Sequence, residues 1–129
     1  MARMRTTNDL DLDLDQIWKM VGDDPEAFHS VLTVFRSGLP ESKALLHALH
    51  NHKDGDALAR EAHSMKGFAM TLGAATALEL ALRLEIAAQS ANWDAVAGLV
   101  AKLSEEVDAI LVRLDQIKPE AGHGQNSDR

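Results

Sequence analysis

The chain has 129 residues, 46% of them hydrophobic, and a formal net charge of −7. That size suits one domain with one core, and the apolar share marks a globular chain rather than a disordered one. The acidic balance argues against an electrostatic footprint for nucleic acid and against a polybasic membrane patch, and the absence of cysteine excludes disulfides and thiolate metal sites.

Alanine and leucine dominate and β-branched residues are sparse, which favours helix. No segment approaches about 18 consecutive apolar residues, so none is expected to span a membrane. Met1 to Thr7 carries two arginines with no apolar run behind it, unlike a secretory signal. With no other address in the sequence, the expected compartment is the cytoplasm.

Residues 1–7 are polar and expected to be disordered. Asn8 or Asp9 can cap a short helix running to about Val21. Asp9, Asp11, Asp13 and Asp15 suit its positive N-terminal end, and Leu14, Ile17, Trp18 and Val21 form its apolar side. The alternation Leu10, Leu12, Leu14 also fits a strand, but a lone strand has no partner. Gly22 then stops the first helix, Asp24 caps the second and Pro25 takes its first position. Phe28, Val31, Phe35, Leu39, Ser42, Leu46 and Leu49 step by three or four along one face, which predicts a helix to about His50. The stripe resumes in register past Pro40, so this proline should kink the helix rather than end it.

Asp54 or Asp56 caps the third helix, and Gly73 stops it after Leu72. The fourth runs from about Ala75 to Ser90. Leu78, Leu80, Ala81, Leu82, Leu84, Ile86 and Ala87 cover much of its circumference, predicting burial on more than one side. Asn92 caps the fifth, where Val96, Val100, Leu103, Val107, Ile110, Leu114 and Ile117 make an apolar face about 30 Å long, closed by Pro119. Four long amphipathic helices on short turns predict an all-α, antiparallel up-down-up-down four-helix bundle. The short first helix would cap one end. The domain spans 8–118, followed by a polar, disordered tail over 119–129.

The third helix carries the residues that ask for a chemical explanation. Leu58, Ala62, Met65, Ala69 and Leu72 form its core stripe, and His63 falls roughly 140° away, facing outward. Lys66 follows at i+3 on the same side. Gly67 follows one turn on, although glycine costs a helix about 1 kcal/mol relative to alanine. An imidazole, an ammonium and a bare patch of helix have two readings. They are a solvated face, or a site for carrying a phosphoryl group with room for another molecule to reach the ring.

The run Arg60-Glu61-Ala62-His63-Ser64-Met65-Lys66-Gly67-Phe68-Ala69-Met70-Thr71-Leu72-Gly73-Ala74, with Leu84-Glu85 one helix later, resembles the signature of histidine-containing phosphotransfer (HPt) domains. The likeness extends over about residues 9 to 117. Met65 replaces the usual Leu, and Phe68 stands where a small residue is commoner, well round the helix from His63. The resemblance implies a phosphorelay carrier, not an enzyme. His63 would accept a phosphoryl group from a receiver-domain aspartate, such as that of a hybrid histidine kinase, and pass it to a response-regulator aspartate.

Imidazole is a suitable nucleophile near neutral pH. Lys66 would offset charge on the phosphoryl oxygens, and Gly67 would let the receiver close on the ring. The receiver would bring Mg²⁺, so this chain would bind no cofactor or metal. Glu85 and His63 lie about equally far from the turn near Gly73, so Glu85 would orient the imidazole, pair with Lys66, or stand as a solvated carboxylate. Arg60 and Gln89 are candidates for the same rim. Ala59 and Met70 offer an apolar docking patch or an ordinary bundle flank. A monomer is expected.

Four other readings stand beside this one. His47, His50 and His52 cluster near the end of the second helix, but no Glu-x-x-His repeats on other helices as di-metal bundles need. A bundle that only binds partners would not require the intact His63, Lys66 and Gly67. An ATP-using kinase would need a glycine-rich phosphate loop after a strand, and this length leaves no room for a catalytic domain. The phosphoacceptor module of a chemotaxis-type kinase would carry the same residues. Met1 at the start and the polar tail point instead to a free-standing carrier.

Overall fold

Side-chain caps start three of the long helices. Asp24 Oδ1 accepts the Glu26 N–H at 3.0 Å, Asp54 Oδ1 that of Ala57 at 3.1 Å, and Asn92 Oδ1 that of Ala95 at 3.3 Å. Each cap satisfies a backbone donor that the first helical turn leaves without a partner. A computed structural model describes residues 12–117 as five helices: α1 Asp15–Met20, α2 Pro25–Asn51, α3 Gly55–Leu72, α4 Ala75–Gln89 and α5 Trp93–Asp115. The expectations for residues 1–7, for the Asn8 or Asp9 cap, and for Pro119 and the tail lie outside the described residues.

The long helices form a bundle. α2 packs on α3, α3 on α4, α4 on α5, and α5 returns to α2. Arg36 reaches the Leu114 carbonyl, Lys43 pairs with Asp108 and His47 meets Ser104, so numbers fall along α5 as they rise along α2. The buried stripe of α2 is Phe28, Leu32, Phe35, Leu39, Ser42 and Leu46. Leu32 joins the expected set, while Val31 and Leu49 are only half-buried. α2 runs through Pro40 without a break, with the ring on the exposed side. α5 buries Val96, Val100, Leu103, Val107, Ile110 and Leu114 as the periodicity predicts. It ends at Asp115, so Ile117 lies beyond the helix, partly buried against the core.

Two expectations are corrected. The first helix starts at Asp15, and Leu12 and Asp13 are not helical. The Asp13 N–H instead donates to the Leu72 carbonyl at 2.8 Å, and Gln16 Nε2 donates to the Met70 carbonyl at 2.7 Å and to that of Thr71. Together with the Ala74 N–H on the Ala69 carbonyl, these bonds occupy the carbonyls that the end of α3 leaves open. Gly73 makes this possible. It sits at φ +68°, and a Cβ there would collide with Asp13. A helix as short as α1 is unstable alone. It is held by buried Ile17 and by Trp18, whose ring stacks on Phe28 at 3.8 Å.

α4 is not buried on several sides. Ala77, Ala81, Leu84, Ala87 and Ala88 are buried, but Leu82 and Ile86 are exposed. Among the described helices, α4 packs only on α3 and α5, so one of its apolar sides faces none of them.

Candidate functional site

The inward stripe of α3 decides where His63 points. Leu58, Ala62, Met65, Ala69 and Leu72 are all buried, and the His63 side chain on the far side is 63% exposed. α4 returns alongside α3 and sets Glu85 level with the ring. His63 Nδ1 lies 3.2 Å from Glu85 Oε2. An ionised carboxylate only accepts, so this contact selects the ring form with its proton on Nδ1 and leaves the Nε2 lone pair free.

The other oxygen of Glu85 faces Lys66, with Nζ at 3.7 Å. The Lys66 and Glu85 side chains are 24% and 21% exposed, so the pair is mostly sheltered along the seam between α3 and α4. Gly67 lies one turn beyond His63, and a Cβ placed on it would meet nothing within 4 Å. The patch is open helix surface. Phe68 turns away to pack edge-on against Phe35 of α2, ring centroids 5.5 Å apart.

A shallow concavity of about 600 Å³ opens beside the ring, lined by Asp56, Ala59, Arg60, His63, Ser64, Glu85 and Gln89. Among the expected site residues, the structure therefore gathers His63, Glu85, Ala59, Arg60 and Gln89 in one hollow, with Lys66 reaching it through Glu85. Gly67 and Met70 lie outside its lining. Met70, two turns past His63, is 58% exposed. Ala59 is corrected: it is buried, because its side of α3 faces α4, and it offers no free apolar surface.

Asp56 and Ser64 are additions. Asp56 stands two helical turns before His63, a spacing that returns to the same face and was readable from the sequence. The histidines at the end of α2 do not converge. His47 Nε2 meets Ser104 Oγ at 2.8 Å, the His50 ring stacks towards Trp93, and His52 Nδ1 meets the Ala48 carbonyl at 2.8 Å. Among the described residues, no group of three or more such side chains is placed to hold a metal ion. No described helix is long and apolar enough to cross a membrane.

The family model for the Hpt domain matches residues 30–116, a stretch that contains both His63 and Glu85. No curated protein and no solved structure matches the chain.

Proposed function

The chain belongs to the Hpt domain family, and on that footing we propose that it is a phosphorelay carrier whose phosphoacceptor is His63. Hpt domains serve histidine phosphotransfer in phosphorelays and are carriers rather than kinase domains. The observation that carries the assignment to His63 is the contact of its Nδ1 with Glu85 on an otherwise exposed ring.

The chemistry follows from that contact. A receiver presents an aspartyl phosphate, and Nε2 attacks the phosphorus. The Nε2–P bond forms as the acyl O–P bond breaks, and the aspartate leaves as a carboxylate. The proton on Nδ1 stays in place, so the phosphorylated ring carries a positive charge that the Glu85 carboxylate offsets. Lys66 holds Glu85 from the other side and adds positive charge at the edge of the site. Return of the group to a second receiver's aspartate is the same step reversed.

Mg²⁺ belongs to the receiver's acceptor pocket in this reading, and this chain supplies none of its ligands. The hybrid kinase receiver is the donor and the response regulator the acceptor, with the carrier in the cytoplasm. The frame is an antiparallel up-down-up-down bundle, supported by the opposed pairing of α2 with α5 and by the level contact of His63 with Glu85. His63, Lys66 and Glu85 come from one chain, so a monomer suffices. Gly67 leaves the approach open, and exposed Met70, with Leu82 on α4, offers the receiver an apolar footing.

The test is label transfer from a phosphorylated receiver. Wild type should acquire an acid-labile, alkali-stable phosphoryl group, and His63→Gln should acquire none while keeping its helix content. Label on His63→Gln, at His29 or His47 for example, would defeat the assignment.

A further inference from the structure

The concavity beside His63 contains a cation that the relay chemistry above leaves unused. Arg60 is exposed and lines the hollow with His63, yet its guanidinium makes no ion pair or hydrogen bond among the described residues. The other cation of the site is already engaged, since Lys66 lies 3.7 Å from Glu85 Oε1 and does not line the hollow. The carboxylates around the ring, Asp56 and Glu85, would repel an incoming phosphoryl dianion.

Helical geometry adds a direction. Side chains on an α-helix lean towards its N-terminus, over the preceding turn. The His63 ring is therefore carried towards Ala59 and Arg60 rather than towards Gly67, and the space beside it is lined by the N-terminal half of α3. A group bonded to Nε2 would stand in that space. A guanidinium is the side chain suited to it, because its planar fork meets two phosphoryl oxygens at once and stays charged.

We propose that Arg60 is a phosphoryl-contacting residue, which turns its guanidinium onto the phosphoryl oxygens at His63 Nε2 while Lys66 serves Glu85. This rests on the reading of His63 as the acceptor. It makes Arg60 a part of the reaction rather than of receiver docking, so its effect survives when no receiver is present.

Phosphoramidate, a small phosphoryl donor, provides that condition. Its P–N bond breaks as the Nε2–P bond forms, and ammonia leaves. Wild type, Arg60→Lys and Arg60→Gln would be phosphorylated with it, and the rates at His63 and at His52 followed by mass mapping. His52 is exposed on the same chain and serves as an internal reference. The expected result is at least a tenfold fall in the His63-to-His52 ratio for Arg60→Gln, with Arg60→Lys in between and helix content unchanged. An unchanged ratio for Arg60→Gln, with His63 still the preferred site, overturns the role of Arg60 and leaves His63 as the acceptor. Equal labelling of His63 and His52 in wild type overturns both, because the hollow then confers nothing on His63.

Discussion

Lys66 and Glu85 form an ion pair of which about a quarter or less of each side chain remains exposed, and that shelter sets the size of the effect expected at this position. A fully exposed contact is typically worth about 0.2–1 kcal/mol, whereas a charged hydrogen bond shielded from water reaches about 1.5–3 kcal/mol. Each 1.36 kcal/mol is tenfold in rate. A docked receiver excludes water from the seam, so Lys66→Ala should slow transfer by roughly ten- to a hundredfold without abolishing it. Lys66→Arg should retain more, since the charge survives. Stability should change by no more than about 1 kcal/mol, because Lys66 flanks the core stripe. The check is the transfer rate from one phosphorylated receiver to the three proteins, with thermal melts alongside. Equal rates would remove Lys66 from the site and leave Glu85 acting on the ring alone.

At the scale of the element, α3 is a helix whose sequence gives up local stability at Gly67. A Cβ there has open space around it, so packing does not require glycine at this position. Gly67→Gln should raise stability by up to about 1 kcal/mol, because glycine is the poorer helix former. The same side chain should stand in the receiver's path and slow transfer by at least a hundredfold. Melting temperature and transfer rate should thus move in opposite directions. A more stable protein with unaltered transfer would show that clearance is not the reason for this glycine.

Most of α3 was legible from its sequence. A single period placed Leu58 to Leu72 inward and His63 outward, Gly73 marked the end, and the start lay between Asp54 and Asp56, of which Asp54 is the cap. The start of α1 was not legible. Asp13 reads locally as a good first-turn residue, but its N–H is taken by the Leu72 carbonyl, a tertiary bond that no local signal announces. Ala59 was left undecided for a related reason. Its angle from the stripe left docking patch and bundle flank both open, and the flank holds because the width of the buried face is set by how closely α4 approaches.

Over the whole molecule, the closed ring of helices was readable because four long periodic faces joined by short turns have few other ways to bury themselves. The outer limit of burial was not. Leu82 and Ile86 are as apolar as Leu84, and they are exposed because none of the described helices packs on their side. The level pairing of His63 with Glu85 followed from their equal distance to the Gly73 turn. The choice among orienting the ring, pairing with Lys66 and facing solvent needed coordinates. Glu85 makes both contacts at once.

In the function proposed above, the bundle carries a phosphoryl group rather than merely binding receivers. A pulse-chase tests it most directly: label supplied on one phosphorylated receiver, the carrier isolated and mapped, then a second, unlabelled receiver added. The label is expected to leave the first receiver, reside on His63, and pass to the aspartate of the second. Label that stays on the first receiver, or is released as inorganic phosphate without residing on His63, would contradict the claim.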